Sequence, residues 1–170
     1  MTEQTFDLIS HWAVPARIET VAEILAEPER FPDWWGAVYL SIEIADPGDA
    51  DGIGRTVDVH SRGWLPYTLR WTGRLVERDP PHRAVIEATG DLTGHGVWSL
   101  RQNGDIAEIT YTWTVVTSKP WMRLLAPVLR PVFAWNHRWA MAQGEAGLIQ
   151  ELARRAADGP TRAGQGQGQA

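Results

Sequence analysis

The sequence predicts an α+β fold: a curved six- to seven-stranded antiparallel sheet wrapped around a long C-terminal helix, with two short helices after the first strand. Three observations predict it. Apolar and polar residues alternate in a series of segments joined by short turn sequences, which makes consecutive strands antiparallel neighbours. One segment near the C-terminus has apolar residues at helical spacing and is long enough to cover the apolar face of such a sheet. Ten tryptophans are spread through every segment that can form structure, in a chain without cysteine. A curved sheet over one helix leaves volume that such side chains either fill or line.

Residues 5–12 (TFDLISHW) alternate, with Phe6, Leu8 and Trp12 on one side, and read as the first strand. Val14-Pro15-Ala16 ends it, because Pro15 suits the first turn of a helix. Val21, Ile24 and Leu25 recur at helical spacing to about residue 27. Pro28 stops that helix, and EPERFPDWW gives a second of one or two turns, limited by Pro32. Val38, Leu40, Ile42 and Ile44 alternate as a strand, and ADPGDADGIG is a turn-rich connector. Strands over 55–61 and 65–76 follow, separated by Arg62-Gly63. After the turn Asp79-Pro80-Pro81-His82 come strands over 83–89 and 94–101.

Asn103-Gly104 is a hairpin turn. Beyond it Ile109, Tyr111, Trp113 and Val115 alternate with Thr110, Thr112 and Thr114, the pattern of a sheet with one buried face. From Lys119 to about Ala156, Leu125, Leu129, Val132, Trp135, Trp139, Ala142 and Ala146, then Ile149, Leu152 and Ala153, follow a helical face. Pro127 and Pro131 place the start of the uninterrupted helix near Pro131. Residues 157–170 are of low complexity and read as a disordered tail, leaving one domain over 1–156.

Composition excludes several classes. The 170 residues are 44% hydrophobic and 22% charged, the proportions of one globular domain. A net charge of −5 argues against a nucleic-acid partner. The absence of cysteine excludes disulfides, thiolate catalysis and Cys-ligated metals. The opening residues MTEQTFDLIS lack a basic stretch followed by an apolar one. No apolar run approaches the ~20 residues that span a bilayer. A cytoplasmic protein with no membrane insertion is expected. A preference for Arg over Lys, with abundant Ala, Gly and Pro, is the composition of a GC-rich bacterial source.

The candidate ligand-binding residues follow from strand period and helix position. Tyr67, Leu69, Trp71, Trp98, Tyr111 and Trp113 share the apolar face of the sheet, and Trp135, Asn136 and Trp139 lie on the helix that it grips. Flat side chains with one polar tip suit an aromatic or isoprenoid ligand; plain core packing is the alternative. Either Asn136 or His137 faces the cavity, or the pair sits at its rim. With Tyr67, Leu69 and Trp71 inward, Arg70 and Arg74 face water, and Glu87 pairs with Arg70 or Arg101 on the outer face. His95 opposes Gly94, Gly96 and Trp98 and so faces solvent. His11, His60, His82, His95 and His137 show no ligand spacing, so no metal is expected. Trp34, Trp35 and Trp64 are placed at the pocket mouth, Trp12 at the end of an edge strand and Trp121 at the helix entrance. The apolar, cationic stretch Lys119–Leu125 has the character of a membrane-touching segment. There is no G-x-S-x-G and no glycine-rich phosphate loop, so no nucleotide cofactor is expected.

Several segments taken together carry a resemblance: Val14-Pro15-Ala16, Phe31-Pro32-Asp33-Trp34-Trp35, Gly94-His95-Gly96-Val97-Trp98-Ser99-Leu100, Thr110-Tyr111-Thr112-Trp113, Lys119-Pro120-Trp121-Met122, and Pro131-Val132-Phe133-Ala134-Trp135-Asn136-His137. The chain resembles, over roughly residues 4–155, the START-like or Bet v 1-like helix-grip superfamily (SRPBCC), nearest its bacterial polyketide cyclase/dehydrase-type branch. The resemblance implies a hydrophobic small molecule (lipid, isoprenoid or polyketide-like) bound between sheet and helix. It equally allows a polyketide cyclase or dehydratase, with His137, Tyr111 and Tyr67 as candidate acid–base groups. A protein-interaction module of the co-chaperone kind is a third possibility, and a homodimer is left open. Fold does not fix function.

Overall fold

A computed structural model describes residues 5–117 and 120–163, with side chains for 5–116 and 130–159. The expectations for Lys119, the side chain of Trp121 and residues 164–170 lie outside the described residues. The chain forms β1 (Phe6–Val14), α1 (Ile18–Leu25) and a 3-10 turn (Pro28–Arg30) that leads into α2 (Phe31–Trp34). It continues with β2 (Tyr39–Asp46), β3 (Thr56–Arg62), β4 (Thr68–Asp79), β5 (Arg83–Gly90), β6 (Leu92–Asn103), β7 (Ile106–Thr117) and α3 (Pro120–Ala163). The seven strands form one sheet in the order β1-β7-β6-β5-β4-β3-β2, with every pair antiparallel. Short turns make neighbours of β2 to β7, and β1 closes onto β7.

The first helix starts later than Pro15 suggests, because β1 stays paired as far as Val14 opposite Ala107. Pro15 lies in the bend, and Arg17 takes the N-cap position without a capping side chain of its own. The cap comes from β6: Gln102 Oε1 accepts the Ile18 N–H at 2.9 Å, and Gln102 Nε2 donates to the carbonyls of Ala16 and Gly104. A side chain far away in sequence thus satisfies one of the free N–H groups that open every helix.

Two faces differ from the sequence expectation. In β2, register shifts between Tyr39 and Ser41 and between Ile44 and Asp46 interrupt the alternation. The first shift leaves Leu40 exposed and lets Tyr39 and Ile42 turn inward; Ile44 shares the face of Ile42 and is exposed where the strand nears its end. A bulge inserts one residue and reverses the parity of what precedes it.

The larger correction concerns α3. Its buried stripe is Phe133, Met141, Gly144, Leu148 and Glu151, not the face through Trp135, Ala142 and Ile149. The reason is close approach. A Cβ on Gly147 would lie 1.9 Å from the Trp34 carbonyl oxygen, and one on Gly144 would lie 2.4 Å from the Trp35 ring. The helix lies against α2 through glycines, so its large side chains flank the contact instead of making it. α3 also begins at Pro120, ahead of Pro131, and runs to Ala163, past the end expected near Ala156. Pro120 at the first position has no N–H to leave unsatisfied.

The main core joins β1, α1, α2, β3, β6, β7 and α3 through Trp12, Val14, Val21, Ile24, Phe31, Val59, Trp98, Ile109 and Leu148, with Trp35 just after α2. Trp12 and Trp35 stand at its centre, 4% and 3% exposed, with ring centroids 5.3 Å apart. They are neither strand-end nor mouth residues. The Trp35 ring, just past the C-terminal end of α2, is held inward by Phe31 and Tyr39.

Candidate functional site

Between the sheet and α3 lies a cavity of about 150 Å³. An apolar cavity of this size accepts a guest of about one aromatic ring. Strand parity builds its floor. Leu69 and Trp71 of β4, with Tyr67 just before it, point the same way, and Tyr111, Trp113 and Val115 of β7 join them. Phe6 and Leu8 of β1 and Phe133 of α3 close the sides. The rings form a row: Trp98 stacks on Tyr111 at 4.2 Å, Tyr111 lies 5.7 Å from Trp113, and Trp113 lies 5.7 Å from Trp71. Gly96 permits this, since a Cβ there would lie 2.5 Å from the Tyr111 hydroxyl.

Polar groups are few and placed. Ser61 of β3, 7% exposed, accepts the Trp71 Nε1–H at 3.1 Å. Trp35 lines the cavity while its Nε1–H donates to the Ala140 carbonyl at 2.9 Å. Asn136 Oδ1 accepts the main-chain N–H groups of Trp64 at 2.7 Å and Leu65 at 3.3 Å, which fastens the β3–β4 loop to α3. Gly63 is needed there, because a Cβ would lie 2.2 Å from Asn136 Nδ2. Both Asn136 and His137 line the cavity.

Burial, with a smaller contribution from the adjacent Arg138 charge, pushes the His137 pKa down to about 4. The ring is neutral at neutral pH. Nε2 lies 3.2 Å from Ser10 Oγ, which orients the ring. The other ring nitrogen has no hydrogen-bond partner among the described residues. Burial also raises the phenols of Tyr39, Tyr67 and Tyr111, and Tyr39 adds to the rise at Tyr111. All three therefore remain protonated donors. The hydroxyls of Tyr39 and Tyr111 have no hydrogen-bond partner among the described residues and both side chains line the cavity.

The structure brings together Tyr67, Leu69, Trp71, Tyr111, Trp113, Asn136 and His137. It does not bring Trp98, Trp135 and Trp139 to the cavity wall. Trp98 lies behind Tyr111 in the core. Trp135 is 40% exposed and packs edge-on against Trp64 at 4.9 Å, on the outside, because α3 is rotated relative to the expected face. Trp139 is half-buried beside the β3–β4 loop. The sequence reading missed Tyr39, hidden by the β2 bulge, and Ser61, whose parity with Val57 and Val59 was the available signal. The outer face is as expected for His95, Arg70, Arg74 and Glu87, all exposed. Glu87 lies opposite Arg74 in register, and Arg101 pairs with Glu108 instead. Among the described residues no cluster of three metal-ligating side chains occurs. No described helix is long and apolar enough to cross a membrane.

No family model and no curated protein matches this sequence. Solved structures do. A protein of Thermus thermophilus is similar with a TM-score of 0.70 at 17% identity, over 86% of this chain and 99% of that one. The Zhui aromatase/cyclase of a Streptomyces species gives 0.68 at 17%, over 90% and 96%. A norcoclaurine synthase of Thalictrum, solved with a transition-state analogue, gives 0.58 at 16%, over 90% and 99%. At such identities the likeness is one of fold: the chain shares the α+β helix-grip fold of these structures.

Proposed function

We propose that this chain binds a hydrophobic small molecule, of lipid, isoprenoid or polyketide-like character, with a ring and an oxygen acceptor placed in the cavity between the sheet and α3. One observation carries the reading. Two protonated phenols, Tyr39 and Tyr111, lie in an aromatic wall without hydrogen-bond partners among the described residues. A hydroxyl donor in the wall of an apolar cavity calls for an acceptor, and a ligand carbonyl or phenolic oxygen would supply one. The ring faces of Trp71 and Trp113 suit an aromatic or polyene body. The similar folds named as an aromatase/cyclase and a norcoclaurine synthase support a guest of this kind.

The test compares acetophenone with ethylbenzene, which differ chiefly in one carbonyl. Tryptophan fluorescence titration is expected to show acetophenone binding about fivefold more tightly, as one net hydrogen bond of ~1 kcal/mol requires. The double variant Tyr39→Phe/Tyr111→Phe should erase that preference while retaining ethylbenzene. Equal affinity of the two probes for the wild-type protein would sink the reading.

A second reading rests on His137. A neutral imidazole at the cavity wall can accept a proton, more weakly than a free histidine because burial holds it at about 4. It would take a proton from the carbon next to a ligand carbonyl, while the Tyr39 and Tyr111 phenols donate to the developing enolate oxygen. The proton held on His137 would then pass to a β-hydroxyl, which leaves as water as its C–O bond breaks and the C=C bond forms. Hydrogen–deuterium exchange at the methyl group of acetophenone tests this step. Protein-dependent exchange that His137→Gln abolishes is the expected result, and exchange at the buffer rate would exclude the base role.

A further inference from the structure

A second cavity, of about 130 Å³, shares no lining residue with the first. Trp98 lines it, and its stacked partner Tyr111 lines the other, so the stack is part of the wall between them. Its walls are apolar: Leu25 of α1, Phe31 of α2, and Val57, Leu75, Ile86 and Leu100 of the sheet.

Its rim is cationic. Arg55, Arg78 and Arg83 border it. Arg83 is already neutralised by Glu77 at 2.8 Å. Arg55 donates only to main-chain carbonyls, those of Ala26 at 2.8 Å and Pro47 at 3.4 Å. Arg78 donates to the Asp51 carbonyl at 2.7 Å. Neither has a carboxylate partner among the described residues. Of the acids of the adjoining turn, Asp46 accepts the Gly48 N–H and Asp49 those of Asp51 and Ile53, and neither they nor Asp51 forms an ion pair with Arg55 or Arg78. Each guanidinium has five donors, so both retain N–H groups to offer. Two arginines without an ion-pair partner among the described residues, at the mouth of an apolar cavity, suit an anion.

We infer that this second cavity binds a small amphiphilic carboxylate, with its ring or short acyl chain inside and its carboxylate on Arg55 and Arg78. The volume limits the apolar part to about one ring or a short chain. A neutral amphiphile would gain the burial and forgo the charge-assisted hydrogen bonds. A cationic one would be repelled.

The experiment is a titration of methyl-labelled protein with octanoate and octanol, followed by NMR. Octanoate is expected to shift the methyl signals of Leu25, Leu75 and Ile86, and to leave those of Leu8 and Leu69 in the first cavity unmoved. It should bind at least about tenfold more tightly than octanol, the factor expected for one charge-assisted hydrogen bond. Arg78→Gln should bring octanoate close to the affinity of octanol, with octanol unchanged. Ala22→Leu, which adds bulk at the cavity wall, should weaken both ligands. Because Arg55 also ties the end of α1 to the sheet, Arg78→Gln is the decisive variant. Equal affinity of octanoate and octanol, shifts confined to Leu8 and Leu69, or no shift at low millimolar octanoate would each overturn the inference.

Discussion

His137 and Glu151 make opposite kinds of demand on the fold, and their titrations separate them. The folded chain holds His137 at about 4, against ~6.5 for an unfolded histidine. Between those values the unfolded chain binds more protons, so stability falls as pH falls from 6.5 towards 4 and is fully present above 6.5. Glu151, 5% exposed and bonded to Arg154 and Arg155, is held down at about 2. Its contribution is fully present above the ordinary carboxylate value and is lost as pH falls below it towards 2. Urea midpoints measured from pH 7 to pH 3 should show two successive declines. His137→Gln should flatten the first and Glu151→Gln the second; a first decline of unaltered size in His137→Gln would refute the burial argument. Adjacent tryptophans give a second contrast. Trp35 Nε1 bonds the Ala140 carbonyl, whereas the buried Trp34 Nε1 has no partner among the described residues. Replacing each with Phe removes the same atoms, but only the Trp35 change loses a hydrogen bond. Trp35→Phe should cost about 1 kcal/mol more than Trp34→Phe in chemical unfolding.

At the scale of elements, the contact of α3 with α2 rests on the absence of side chains. A Cβ on Gly147 would meet main-chain oxygen, which cannot rotate aside. Gly147→Ala is therefore expected to cost about 2–3 kcal/mol, as overpacking does. Gly159 lies in the same helix, and a Cβ added there would meet nothing within 4 Å. Gly159→Ala should change stability by less than about 0.5 kcal/mol, because the restriction imposed by the following Pro160 offsets the helix propensity gained. Thermal unfolding of the two variants reads the difference, and equal shifts would contradict the packing account. The same contact explains which parts of the structure were legible in the sequence. Strands with period two and turns such as Asn103-Gly104 put Tyr67, Leu69, Trp71, Tyr111 and Trp113 on the inward face, because parity alone fixes a face. Helix α3 was misread because the reading followed its largest apolar residues, Trp135 and Trp139. The helix packs through its smallest ones and presents Asn136 and His137 to the cavity. Tyr39 was hidden in a similar way: the bulge in β2 that turns it inward leaves no trace in an alternating pattern.

For the whole molecule, the question is by which side a guest reaches the cavity between sheet and helix. The β3–β4 loop lies across one side, and Asn136 holds it through two main-chain N–H groups while Trp64 packs on Trp135 outside. Opening it breaks the hydrogen bonds to Asn136, separates the Trp64–Trp135 pair and lifts Leu65 and Tyr67 from the apolar cluster they pack against, leaving the seven-stranded sheet intact. Among the described residues the loop is a side of the cavity that can open without unpairing strands, and such local segments govern entry and release. Asn136→Ala should raise both the association and dissociation rates of acetophenone, by about threefold or more, since each lost hydrogen bond is worth ~1 kcal/mol. The dissociation constant should move much less, because the Tyr39 and Tyr111 donors are untouched. Gly63→Ala places a Cβ against the Asn136 amide and should displace it. The two changes act on one contact, so the double variant should be no faster than either single one. Stopped-flow tryptophan fluorescence measures all four proteins. Rates that multiply in the double variant, or that stay at the wild-type value in Asn136→Ala, would place the entrance elsewhere between sheet and helix.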